Sequence, residues 1–141
     1  MAWTRSAVLL AAVAAMLLTG PAAAQRDADV NEAERIVMQQ LEAFRRDDFQ
    51  TAFTFASRTI HDMFDAPRFE AMVRGGYPEI ARSVRAHVDG SKRGDGGELY
   101  LFLHVEGENG RAVEAVYELV KEGGAWRING VVTRPDTSEK A

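Results

Sequence analysis

Histidine is the side chain best suited to proton transfer near neutral pH, and two of the three histidines fall on neighbouring predicted strands. His87 and His104 lie opposite each other if the intervening turn is centred between Asp95 and Gly96, and the next strand places Glu114 opposite His104. Two imidazoles and a carboxylate can hold zinc at a catalytic site. Because the spacing matches no metal-binding motif, we interpret the row as polar cross-strand pairs on a solvated sheet face, and we predict no metal and no cofactor.

The adjacent pair His61-Asp62 is a second candidate, as an acid and base for an enzyme, and Tyr77 is a third. Neighbouring residues on regular structure point apart, and a catalytic site needs a nucleophile, a base and an orienting group together. We therefore interpret the pair as exposed, and Tyr77 as a tyrosine that packs its ring and exposes its hydroxyl.

Composition excludes several classes of function. The chain has no cysteine, which removes thiol nucleophiles, thiolate metal sites and redox pairs. It carries 21 Asp and Glu against 17 Lys and Arg, for a formal charge of −4, and no basic cluster exceeds Arg45-Arg46 or Lys92-Arg93. We therefore expect neither nucleic acid nor an acidic lipid surface as a partner.

The first 24 residues are typical of a cleavable export signal. Arg5 is followed by an apolar run from Ala7 to Leu18 and by the small residues Ala22-Ala23-Ala24. The run is too short to span a bilayer, which takes about 20 apolar residues. We predict cleavage after Ala24, no stable membrane anchor thereafter, and a periplasmic or secreted protein with one domain over residues 25–134 and a disordered tail over 135–141.

Apolar spacing predicts helices in the first half of the domain. One is predicted to start at an Asn31 cap and run to Phe44, and a second to start near Phe49 behind an Asp47 cap. A third is predicted to open at Pro67 and to end at Gly75-Gly76.

The second half is predicted to form a four-stranded antiparallel meander, with strands over 83–89, 98–106, 111–121 and 126–133. A three-residue loop ending in a left-handed Gly110 pairs Leu101 with Tyr117, and the following turn pairs Leu119 with Ile128 and Tyr117 with Gly130. This register gives one apolar face, which should pack on the helices. Its predicted members are Val84, Ala86, Val88, Leu99, Leu101, Leu103, Val105, Val113, Ala115, Tyr117, Leu119, Trp126, Ile128 and Val132.

Helices followed by a bent sheet that ends in Trp126-Arg127-Ile128-Asn129-Gly130 resemble the nuclear transport factor 2-like group, a cone-shaped α+β fold. Further residues resemble an uncharacterised family of small exported bacterial proteins: Asp48, Ala52, Phe53, Ala56-Ser57, Ile60, Phe64, Phe69, Met72-Val73 and Tyr77. The resemblance implies helices packed on one face of a curved four-stranded sheet. It implies no particular activity, since members of the wider group include isomerases, dehydratases, carriers and dimerisation modules.

We interpret the chain as a non-catalytic binding domain. Its partner would be a second copy, a small apolar ligand or a protein of the cell envelope. The predicted association surface is the outer sheet face, with Tyr100, Phe102, His104 and Arg127. The competing interpretation is an isomerase- or dehydratase-like enzyme with an acid/base group inside the cone.

Overall fold

The structure is a computed structural model that describes residues 20–137. Helices come first and an antiparallel sheet of strand order β1-β2-β3-β4 follows, so the predicted α+β class is confirmed. The elements are α1 Pro21–Arg45, α2 Phe49–Thr54, α3 Arg58–Met63, α4 Ala66–Gly76, α5 Pro78–Ala81, β1 Ser83–Arg93, β2 Leu99–Gly107, β3 Ala112–Glu122 and β4 Ala125–Pro135.

The first helix starts earlier than predicted. Because α1 begins at Pro21, Asn31 lies inside the helix and is not its cap. Alanines favour helix, and proline is tolerated in a first turn, so Ala22 to Ala24 extend the helix toward the N-terminus. The predicted cut after Ala24 falls within this helix, whereas the basic residue and apolar run of the predicted signal lie outside the described residues. Across residues 20–137, no helix combines the length and apolarity needed to span a membrane.

Side-chain caps fix the starts of α2 and α4. Asp48 accepts a hydrogen bond from the Thr51 N–H at 3.1 Å at the start of α2, and Asp65 does the same for Arg68 at 2.9 Å at the start of α4. The proline that was predicted to open α4 lies in its first turn, and the helix begins one residue earlier, at Ala66. The helices α3 and α5 were not predicted, because each has too few residues to show a periodic pattern.

The predicted cap Asp47 has a different role. Its backbone φ is 58°, in the left-handed region, and it turns the chain between α1 and α2. Its carboxylate forms ion pairs with Arg74 at 3.1 Å and with Arg82 at 3.0 Å. Asp47 therefore ties the corner between the first two helices to the end of α4 and to the residue that follows α5.

The strand register agrees with the prediction between β2 and β3. It departs from the prediction at a bulge in β4 and at two irregularities in β1, between Ser83 and Arg85 and between Val88 and Gly90. Leu101 pairs with Tyr117 and Leu119 pairs with Ile128, as predicted, and Gly110 has the expected positive φ of 78°. Tyr117 pairs with Val131 rather than with Gly130, because a β-bulge adds one residue to β4 between the partners of Glu118 and Leu119.

The apolar face of the sheet packs under the helices, and most of its predicted members are buried. Val84 and Val132 were assigned to this face wrongly, being 59% and 66% exposed. The β4 bulge reverses the side on which the following residues lie, so Val131 packs inward and Val132 faces out. A register irregularity between Ser83 and Arg85 accompanies the exposure of Val84.

The last strand continues past its predicted end at Thr133. Pro135 pairs with Val113, and the Asp136 N–H donates to the Ala112 carbonyl at 2.9 Å. The beginning of the predicted tail is thus hydrogen-bonded to β3. The end of the predicted tail, residues 138–141, lies outside the described residues.

Candidate functional site

A cavity of about 320 Å³ lies between the helical layer and the sheet. The helical half and its connections supply most of its wall, and the inner side of the sheet supplies the rest. Its lining residues are Gln40, Phe44, Ala56, Ile60, Phe64, Phe69, Met72, Val73, Gly76, Tyr77, Ile80, Tyr117, Ile128, Gly130 and Val131.

The connection between α2 and α3 holds one wall of this cavity in place. The Ser57 N–H donates to the Ile128 carbonyl at 2.8 Å, and the Ile128 N–H donates to the Phe55 carbonyl at 2.8 Å. This segment therefore lies alongside β4, with Ala56 in an isolated parallel bridge to Ile128. The half-buried Ile60 and Phe64 follow it, so this segment positions two apolar lining side chains.

Three polar side chains line the cavity, and two of them donate hydrogen bonds to backbone carbonyls. The Gln40 Nε2 donates to the Ala52 carbonyl at 3.1 Å, and the Tyr77 hydroxyl donates to the Val131 carbonyl at 3.2 Å. The third is Tyr117, which is 1% exposed and whose hydroxyl has no hydrogen-bond partner among the residues that the structure describes.

The Tyr117 hydroxyl is a neutral donor throughout the physiological range. Burial raises the pKa of Tyr117 far above its ordinary value, and the nearby Tyr77 raises it further. None of the described residues that line the cavity carries a charge. The site can therefore bind and orient a molecule, but its lining offers no carboxylate or imidazole for proton transfer near neutral pH.

The structure separates the three residues proposed for acid/base chemistry. Tyr77 lines the cavity, and its hydroxyl is engaged by a backbone carbonyl instead of being exposed. His61 and Asp62 are exposed on α3 and do not line it. The His61 ring packs on Phe53 with the ring centroids 3.9 Å apart.

The predicted histidine row lies on the outer face of the sheet with the predicted pairings, His87 opposite His104 and His104 opposite Glu114. The two imidazoles stack with their centroids 5.0 Å apart. Glu114 forms an ion pair with Arg134, and His87 Nε2 lies 3.0 Å from an oxygen of Asp89. Over residues 20–137, no group of three or more His, Asp and Glu residues is arranged to hold a metal ion.

The expectation that His104 is solvated was wrong, because its residue is only 8% exposed. Its Nδ1 lies 2.8 Å from an Asp136 oxygen, and its Nε2 lies 3.4 Å from a Glu106 oxygen. The stacked ring of His87 covers it further. Sequence reasoning missed this arrangement because it assigned Asp136 to a disordered tail; the only available signal was the continuation of the β4 pattern beyond Thr133.

The remaining residues of the predicted association surface lie in different settings. Phe102 is 39% exposed on the outer sheet face, and the half-buried Tyr100 hydroxyl lies 3.4 Å from Glu98. Arg127 donates from Nη1 to the Thr54 carbonyl at 3.0 Å, so it links β4 to the helical half. Of these residues, Phe102 presents apolar surface, next to Val116 and the exposed Val132 in one cross-strand row.

Comparison with other proteins identifies the family. No curated protein and no solved structure significantly matches the chain. A family model does match, over residues 26–141, which include every element of the sheet and nearly all of the helical layer. The chain belongs to the family described as Domain of unknown function (DUF4864).

Proposed function

We propose that the domain binds a small apolar ligand in the cavity between its helices and its sheet. The volume of about 320 Å³ lies at the lower end of the range of roughly 300–1,000 Å³ typical of ligand pockets. A predominantly apolar lining with a few polar groups is also typical of such sites. A cavity of roughly 150 Å³ holds benzene, so about twice that volume suits a two-ring molecule.

The unpaired Tyr117 hydroxyl is the observation that carries this proposal. Buried polar groups in native proteins are nearly always hydrogen-bonded, and an unmet one costs about 1–3 kcal/mol. Phenylalanine would fill nearly the same volume at this position without that cost. A tyrosine here is therefore best explained by a partner that enters the cavity.

Filling the cavity tests the proposal. Val131→Phe places a phenyl ring into the lining, and Val132→Phe makes the same change one residue along on the opposite, exposed face of the sheet. We expect 2-acetylnaphthalene, followed by ligand-observed NMR, to bind the wild type and Val132→Phe, and to bind Val131→Phe at least tenfold more weakly. Equal binding to both variants would place the probe outside the cavity.

The enzyme interpretation has less support than binding. An isomerase or dehydratase acting in this cavity would need an acid or base within hydrogen-bonding reach of its substrate. His61 and Asp62 are exposed, and the described lining contributes tyrosines and a glutamine as its polar side chains. The geometry therefore favours a carrier or sensor of a small molecule over a catalyst.

A second function, homodimerisation through the outer sheet face, is favoured by one cross-strand row. Phe102, Val116 and Val132 are aligned across β2, β3 and β4. The adjacent row contains the ion pair of Glu114 with Arg134, so apolar surface is bordered by charge, as in a typical interface. A two-fold dimer would place this row against its copy.

A charge placed in the row tests dimerisation. We expect Val132→Asp to convert a dimer into a monomer in sedimentation velocity. Val84→Asp, at a similarly exposed valine on β1 outside the row, serves as the matched control and should leave the dimer intact. A wild type that sediments as a monomer at all concentrations would refute this second function.

Export is proposed from the signal predicted at residues 1–24. Fractionation of cells that express the full chain should recover the protein outside the cytoplasm with Gln25 as its first residue. Recovery of the uncleaved chain in the cytoplasm would refute export without bearing on ligand binding.

A further inference from the structure

We propose that the ligand of this cavity is an uncharged, two-ring-sized molecule whose polar group is a hydrogen-bond acceptor, such as a ketone or an aldehyde, that meets the Tyr117 hydroxyl. This inference rests on the proposed function and specifies the chemistry of its ligand. It follows from three features of the lining.

The first feature is the absence of charge. None of the described lining residues is Asp, Glu, His, Lys or Arg. A charged ligand group would be buried here without a counter-charge, which costs many times more than burying a neutral polar group. A carboxylate or an ammonium is therefore excluded from the buried part of the ligand.

The second feature is the direction of the hydrogen bond. The Tyr117 hydroxyl has a hydrogen to donate and no acceptor among the described residues, while the hydrogen of the Tyr77 hydroxyl is used by the Val131 carbonyl. The Tyr117 oxygen is itself covered in the structure, so a ligand carbonyl would have to displace the side chains that cover it; it would then accept from the hydroxyl and satisfy the group that the protein leaves unpaired. A hydrocarbon of the same shape would leave it unpaired.

The third feature is the apolar character of the remaining wall. Aromatic side chains from three regions surround the cavity, with the Phe44 and Phe69 ring centroids 6.1 Å apart and Phe64 at the end of α3. These rings suit a flat apolar body. The wall therefore favours a ligand whose polarity is concentrated at one point.

Three probes of nearly equal size test the inference: 2-acetylnaphthalene, 2-ethylnaphthalene and 2-naphthoate at pH 7. Calorimetric titration of the wild type should give a dissociation constant for the ketone about tenfold lower than for the hydrocarbon, with naphthoate weakest. Tyr117→Phe should abolish the preference for the ketone over the hydrocarbon. Tyr100→Phe, the same change on the outer sheet face, should retain it.

The outcomes separate this inference from the function on which it rests. If the ketone and the hydrocarbon bind the wild type equally, if Tyr117→Phe retains the preference, or if naphthoate binds most tightly, the inference is wrong while ligand binding stands. If none of the three probes binds, the proposed function itself fails, and the inference fails with it. The wild-type comparison of ketone with hydrocarbon remains decisive should the variant fold poorly.

Discussion

Asp29 and Tyr117 are both buried between the helices and the sheet, and they differ in how many hydrogen bonds the fold gives them. Asp29, near the start of α1, is surrounded by hydrogen-bond donors. Tyr117, in the middle of β3, has no partner among residues 20–137. The contrast distinguishes the Asp29 carboxylate, which the fold uses for its own stability, from the Tyr117 hydroxyl, which it leaves for a ligand.

The Asp29 carboxylate connects α1 to three strands. Arg93 Nη2 lies 2.9 Å from it, the Trp126 indole nitrogen 3.1 Å and Lys121 Nζ 3.4 Å. Burial alone raises the pKa of this carboxyl, but the hydrogen bonds from Arg93, Trp126 and Gln25 and the charge of Lys121 outweigh burial and lower the pKa to about 2. Asp29 therefore acts as an anchor for the first helix.

Removing the Asp29 anchor should have the largest effect on stability. Asp29→Ala leaves the buried Trp126 indole N–H unpaired, while Arg93 and Lys121 regain contact with water. We expect a loss of about 2 kcal/mol in the free energy of unfolding, measured by urea denaturation. The matched control Asp27→Ala, at an exposed position on the same helix, should change it little. Equal losses in both variants would contradict the anchoring role.

The two cavity tyrosines should respond in opposite directions. Tyr77→Phe removes a hydrogen bond to the Val131 carbonyl and should lower the free energy of unfolding by about 1 kcal/mol. Tyr117→Phe removes an unmet buried hydroxyl and should raise it by about 1 kcal/mol when no ligand is present. A destabilised Tyr117→Phe would show that the hydroxyl already serves the fold.

The dependence of stability on pH tests the shifted pKa values of Asp29 and Tyr117. Because its pKa is lowered, Asp29 contributes to the free energy of unfolding above about pH 4, and this contribution is lost as the pH falls toward 2. Because its pKa is raised, Tyr117 contributes to the free energy of unfolding below about pH 10, and this contribution is lost as the pH rises further. Asp29→Asn should reduce the acid slope and leave the alkaline slope, and Tyr117→Phe should reduce the alkaline slope and leave the acid slope, in denaturation measured across pH. A wild-type slope that its own substitution leaves undiminished would contradict the assignment.

The sheet was largely predictable, because the alternation of apolar and polar residues and the residue types in the turns determine which side chains of each strand face the helices. The Gly110 loop placed Leu101 opposite Tyr117, and that one pairing set the inward direction of β2 and β3. The same pairing placed Tyr117 inward, and the turn over residues 122–125 placed the Trp126 indole inward; both are buried. The predicted register was wrong at the β4 bulge, because no residue type in β4 indicates a bulge. The bulge turns Val131 inward and Val132 outward, the reverse of the prediction.

The candidate site was less predictable than the sheet. Its wall depends on how α3 and the segment after α2 lie along β4, and those contacts join residues far apart in the chain, such as Ser57 with Ile128. The sequence predicted that Tyr117 faces inward but carried no information about whether another group would meet its hydroxyl. The partners of Asp29 are likewise up to 97 residues away, so the anchor was missed as well.

Urea denaturation of the wild type and Tyr117→Phe, each with and without saturating 2-acetylnaphthalene, tests the central claim most directly. Without the ketone we predict that the variant is the more stable protein. With the ketone we predict that the wild type gains more stability than the variant, because at the same ligand concentration tighter binding stabilises the folded state more. A variant that is less stable without the ketone, or that gains as much from it as the wild type, would contradict the account.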